Sequence, residues 1–348
     1  AVSREYGVTS RDAGIAMLSE IFYRWEKRLA ARDTNRRVRA FEWGTEYVPS
    51  GIRAEDPRRY LFEYAREVLA ESDRYHACSP PANVRLSGRH LSFDSPLPSG
   101  CPENDTVHAL HFPARSDGRV VVVLPQWNAG LGSHQSLCRM LNAFGLSALR
   151  VSLPYHDLRM PAQLERADYM LSPNLGRTLA SVRQAVVDTR AAIDWLEAQG
   201  YRRFAILGTS LGSCVALITS AHDPRIGVNV QNHVSPYVAD VVWHGISTQH
   251  VRMGMEGHVT LEELRDIWMP ISPQAYLGKM RGTGKRSLLV HALYDYSFLP
   301  RLSRQLIRAY ADLGLPHSTC ALHCGHYTSG VFPFNVFLGY TMCSYIRR

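Results

Sequence analysis

Lysine is nearly missing from this chain. Lys27, Lys279 and Lys285 stand against 36 arginines in 348 residues, and the net charge is +8. Such a basic balance invites a nucleic-acid reading. The arginines are scattered and form no stripe, so the skew reads as composition and no nucleic-acid partner is expected. Attraction to anionic substrates or membrane surfaces stays open. Long hydrophobic runs are also lacking. No apolar stretch reaches the ~18 residues of a membrane span, and segments such as Val120–Leu124 are strand-sized. No integral-membrane segment is expected. The seven cysteines show no C-x-x-C and no framework spacing. In a chain of this length that points to reduced thiols and a cytoplasmic setting. The opening AVSREYGVTS, which does not begin with Met, has no signal-peptide core.

Cofactor signatures are missing too. There is no HExxH, no Rossmann glycine pattern and no P-loop. Arg281–Ser287 has the look of a phosphate loop but lacks its spacing, and it precedes a strand instead of following one. His317, His323, Cys324 and His326 cluster in sequence, yet a strand over Thr319–Leu322 keeps them from converging. Neither a metal nor a cofactor is expected.

What is present is a globular composition, 45% hydrophobic and 20% charged. The length suits one large α/β domain with insertions. Apolar spacing predicts helices over Ile15–Ala30 and from Pro57 to Leu69, then a loop-rich stretch with one strand over Val84–Phe93. Residues 1–105 are read as a helical, loop-rich extension and 106–348 as the core. Packing beside the sheet, covering the site and making a homo-oligomeric contact are all open roles for the extension.

From Thr106 strands and helices alternate. Strands are expected at Val107–Phe112, Val120–Leu124 (after a Ser116-Asp117-Gly118 turn), Ala148–Leu153, Phe204–Leu207, Ile226–Gln231, Ser287–Ala292 and Thr319–Leu322. Helices are expected at Ser136–Phe144, Leu179–Gln199, Leu211–Ser220, Pro300–Leu313 and Val331–Ile346. The alternation implies a doubly wound, mostly parallel sheet. Residues 232–286 are too long for a plain connection. They contain Trp243, Met253, Met255, Trp268 and Met269, and are read as a lid inserted before the penultimate core strand.

The sharpest motif is Gly208-Thr209-Ser210-Leu211-Gly212, set between an apolar strand and a small-residue helix. A strained turn there lifts Ser210 Oγ clear of the sheet. Glycines on both sides let strand and helix pass closely. A serine needs a base, and the base an orienting acid. Leu288–Phe298 delivers Asp295 past a strand end, and Thr319–Tyr327 delivers His326 after a glycine. The order is Ser, Asp, His, with gaps of 85 and 31 residues. His323 and His291 rival His326, while Asp240 and Asp223 rival Asp295.

These motifs, GTSLG, ALYDYSF and CGHYTSG, resemble the α/β-hydrolase superfamily over Thr106–Arg348, about 70% of the chain. The resemblance implies an α/β-hydrolase fold, a Ser210–His326–Asp295 triad and an acyl-enzyme intermediate. It implies an oxyanion hole from the Leu211 N–H and a second donor after Val120–Leu124. The usual His-Gly is replaced there by Leu124-Pro125-Gln126-Trp127-Asn128. By position Trp127 donates, with Asn128 as competitor, and the Trp127 indole is a candidate pocket wall as in esterase and dienelactone-hydrolase-like relatives. Arg159, in a P-Y-x-x-x-R-x-P stretch, is a candidate holder of an anionic group. The expected activity is serine hydrolysis of a carboxylic ester or thioester, on a small-molecule or lipid-like acyl substrate. An acyltransferase or peptidase on the same triad is the alternative, and a non-catalytic binding protein of this fold is a third reading.

Overall fold

The structure, a computed structural model, describes residues 10–49, 54–115 and 117–348, with side chains from Met17 onward in the first helix. The expected roles of the first nine residues, of the Ile15 side chain and of Ser116 lie outside the described residues. No helix among the described residues is long and apolar enough to cross a membrane.

Nine strands form one sheet: β1 (Ala82–Ser87), β2 (His90–Asp94), β3 (Thr106–Phe112), β4 (Arg119–Leu124), β5 (Ser147–Val151), β6 (Arg203–Thr209), β7 (Ile226–Asn232), β8 (Arg286–Ala292) and β9 (His317–Leu322). Their order is β1-β2-β3-β5-β4-β6-β7-β8-β9. The first three pair antiparallel down to the β3–β5 ladder, and from β5 to β9 every pair is parallel. The order reverses around β4. That opens a crevice at the carboxyl ends of β4 and β6, where ligands bind in open α/β sheets.

The strand β4 shows why the sheet is buried on both sides. Val120, Val122 and Leu124 face the layer of helices Leu175–Ala198 and Leu211–His222. Val121 and Val123 face helices Gln135–Ala143 and Phe334–Arg347. Each fully buried side chain of this size is worth ~1.5–3 kcal/mol.

Several elements differ from the reading of the sequence. The expected strand Val84–Phe93 is a hairpin, turned at Gly88-Arg89 with Gly88 at φ +59°. Its outer strand is exposed throughout, so no apolar alternation announced it. Because β2 pairs with β3, a division at 105/106 runs through one sheet. Helix Leu175–Ala198 starts four residues before the expected Leu179, capped by the Asn174 side chain on the Arg177 N–H. It is buried on nearly every face, which blurs its periodicity. Within residues 232–286 lie helices Val238–His244, Gln249–Met255 and Leu261–Ile267. Trp268 and Met255 there are fully buried in the main core, while Met253 is exposed.

Candidate active site

Ser210 stands between β6 and helix Leu211–His222 at φ 56°, ψ −121°. A non-glycine residue held there carries ~1–3 kcal/mol of strain and persists only if its surroundings fix it. They do. The Ser210 N–H donates to Asn232 O at 2.8 Å, and its carbonyl accepts from the Ser213 N–H at 2.8 Å. The glycines are steric necessities. A Cβ on Gly208 would lie 2.1 Å from Gly212 O, and one on Gly212 would lie 2.4 Å from both Leu124 O and Pro125 O.

Asp295 follows β8 and is 2% exposed. Its Oδ1 accepts the N–H groups of Ser297 and Phe298 at 2.7 and 2.6 Å. Its Oδ2 accepts from His326 Nδ1 at 3.1 Å and also from His233 Nδ1 at 2.8 Å. The sequence reading did not single out His233. It sits directly past β7, at the same sheet edge as the other groups, and that position was the available signal. Ser329 Oγ lies 3.0 Å from His233 Nε2 and 2.7 Å from the His326 carbonyl.

The two histidines differ in charge preference. Burial, then the nearby His326, lowers the pKa of His233 despite Asp295. Burial also works against a charged His326, but Asp295 and Glu26 outweigh it and raise its pKa above 6.5. Of the two, His326 is the one that accommodates a proton. Burial alone would raise Asp295, but His326 and His233 hold it well below the ordinary carboxylate range. With each Nδ1–H committed to Asp295, the Nε2 lone pair of His326 is left free. His233, Asp295 and His326 offer ligand-type atoms within 4.8 Å of one another, as a metal site would. Here Oδ2 is their shared hydrogen-bond acceptor, which leaves neither Nδ1 a lone pair to give.

The loop after β4 is built around His156. Its Nδ1 donates to Pro154 O at 2.8 Å, and its Nε2 accepts the Asn128 N–H at 2.9 Å. Burial lowers its pKa to about 4, so it stays a neutral acceptor. The Asn128 N–H is thus consumed within the loop. The Trp127 indole donates to Ala167 O at 2.9 Å and stacks on His250, with ring centroids 5.7 Å apart. Beneath the loop a buried Arg150–Asp157 pair at 2.6 Å also holds Gly130 O.

The loop bearing His326 is clamped by the first helix, Ser10–Ala30. Glu26 is fully buried and accepts from the N–H groups of Tyr327 and Thr328 at 2.9 and 2.8 Å and from Thr328 Oγ1 at 2.8 Å. Nothing in the helix periodicity marked Glu26 as more than a surface acid.

Ser210, His326, Trp127 and Asn128 line one cavity of about 620 Å³, with Arg166 and His134. Its apolar side comes from Leu137, Met140, Val336, Leu338 and Met342. Trp243, Met253, Met255, Trp268 and Met269 do not line it, and residues 232–286 contribute Asn232, His233 and Ser247. Arg159 is a correction. It is fully buried, paired with Asp188 at 2.7 Å and bonded to Asn104 O and Ser152 O, away from the cavity. Asp240 is held by Arg265 at 2.6 and 2.7 Å, Asp223 by Arg225, and His323 is exposed.

No family model and no curated protein matches the sequence. Solved structures match its shape. An acetyl xylan esterase from Paenibacillus sp. R4 superposes with TM-score 0.58 at 15% identity, over 84% of this chain and 96% of its own. Acetyl xylan esterase 1 from Thermoanaerobacterium sp. JW/SL YS485 gives 0.58 at 12% identity, over 83% and 93%. The fold is the α/β-hydrolase fold. The acylaminoacyl peptidase of Pyrococcus horikoshii also superposes at 0.58 and 14% identity, over 78% of this chain, which spans 42% of the peptidase. The α/β-hydrolase neighbours thus include both esterases and a peptidase. In this α/β-hydrolase sheet β6, β8 and β9 lead into Ser210, Asp295 and His326 at one edge.

Proposed function

We propose that the chain is a serine hydrolase of carboxylic esters. The observation that carries this is the strained Ser210 turn opening on the cavity that His326 also lines, with Asp295 behind His326. Ser210 Oγ attacks the ester carbonyl while His326 Nε2 takes its proton. Asp295 holds the ring tautomer and offsets the imidazolium charge. The Leu211 and Trp127 N–H groups receive the oxyanion. His326 then protonates the leaving alcohol and later activates water against the acyl-enzyme. No metal or cofactor enters this scheme. Residues 232–286 serve as a cap that supports Trp127 through His250, and residues 1–105 fix the His326 loop through Glu26.

A peptidase is the second reading, favoured by the acylaminoacyl peptidase likeness. Hydrolysis of p-nitrophenyl esters from acetate to palmitate, set against matched acyl-peptide p-nitroanilides, tests the assignment. Turnover of esters with little anilide cleavage supports it, and the chain-length optimum sizes the apolar wall. Anilide cleavage at comparable kcat/KM moves the assignment to a peptidase.

A further inference from the structure

Arg166 is only 5% exposed, yet it lines the same cavity as Ser210 and His326. Its guanidinium lies 4.4 Å from the centre of the Trp127 ring. A guanidinium has five N–H donors. Among the described residues those of Arg166 make one hydrogen bond, from Nη1 to Asn35 Oδ1 at 3.4 Å. Its Nε is buried without a partner. The nearest carboxylates, Asp33 and Asp168, stand at 3.6 and 3.8 Å, beyond good hydrogen-bond distance. Both are engaged by other arginines, Asp33 by Arg36 at 3.0 Å and Asp168 by Arg39 at 2.8 Å. Three guanidinium groups therefore face two carboxylates.

A buried cation with open donors is costly unless something pairs it. The residues around it leave one positive charge in surplus, which matches a monoanion. Arg166 also sits over the Trp127 ring, and a planar guanidinium suits two parallel hydrogen bonds to a carboxylate. We propose that Arg166 is an anion-binding subsite and that the substrate is an ester carrying a carboxylate remote from the scissile bond. This rests on the ester-hydrolase reading above. It moves to Arg166 the role expected of Arg159, whose donors are used inside the core.

The test compares the monomethyl esters of succinic, glutaric and adipic acids with the corresponding half-amides, which are neutral and similar in size. For the best chain length kcat/KM favours the anionic ester by about tenfold or more, as a charge-assisted bidentate pair requires. In Arg166→Gln that ratio falls toward one, and Arg166→Lys restores part of it. Binding of monomethyl adipate and of its half-amide to Ser210→Ala, followed by calorimetry, gives a readout independent of turnover. Tighter binding of the half-ester there, lost when Arg166→Gln is added, supports the subsite even if Ser210 proves not to be the nucleophile. Equal binding and equal kcat/KM for half-ester and half-amide in the parent protein would overturn it. Circular dichroism of Arg166→Gln checks that it folds. If it does not, the Arg166→Lys ratio and the parent comparison still decide.

Discussion

His233 and His326 donate to the same oxygen of Asp295, at 2.8 and 3.1 Å, with their rings 4.3 Å apart. One carboxylate thus orients two imidazoles. Both line the cavity, but His233 disfavours a proton, whereas His326 favours one. His233 acts as a positioning residue that satisfies Asp295 from behind. Replacing it with Gln weakens that donation and leaves Asp295 a stronger partner for His326. The acidic limb of the kcat/KM profile then moves to higher pH, and kcat falls by about tenfold. A limb that stays in place with unchanged kcat removes His233 from the network.

Asp295→Asn has the opposite sign. Without the carboxylate charge the pKa of His326 loses its largest upward contribution. The acidic limb shifts to lower pH, while kcat drops by about 10³–10⁴ because the ring is no longer held in the right tautomer. A pH–rate profile of the residual activity checks both effects together.

Glu26 ties the first helix to the His326 loop through three hydrogen bonds. Glu26→Ala leaves those donors buried and unpaired, at a cost of about 3 kcal/mol or more. Thermal melting with an ester assay should show a lower Tm and lost activity, with Glu26→Gln intermediate. Full activity in Glu26→Ala would mean that the loop is held by other contacts.

Acid should unfold the protein through its buried histidines. His156, His222 and His250 have pKa values pushed down to about 4, in each case mainly by burial. The unfolded chain binds these protons near pH 6.5 and the folded chain only near 4. Their stabilising contribution is therefore present above pH 6.5 and is lost as pH falls toward 4, on the order of 1 kcal/mol per pH unit for each. Denaturant midpoints between pH 8 and 4 measure it, and a flat profile contradicts it.

Much of this was legible because it is local. The Gly208–Gly212 turn, the run Val120–Leu124 and the strand ends before Asp295 and His326 each carry their signal within about ten residues. What was hidden depends on chain segments far apart. His233 meets Asp295 across 62 residues, and Glu26 meets Thr328 across 302. Arg159 and Arg166 differ by seven positions and similar chemistry, yet one is consumed by Asp188 and the other opens on the cavity. Met255 and Trp268, read as part of a lid, are core residues, while the cavity's apolar wall comes from the Gln135–Ala143 and Phe334–Arg347 helices. Apolar content marks burial but does not say against which surface.

The proposed reaction turns on Ser210 as the nucleophile. The direct measurement is labelling with a fluorophosphonate probe, followed by mapping of the modified peptide. A single modified residue, Ser210, is expected, with labelling and ester turnover both lost in Ser210→Ala, turnover by about 10³-fold or more. Labelling that persists in Ser210→Ala, or that maps to another serine such as Ser329 beside His233, would contradict it.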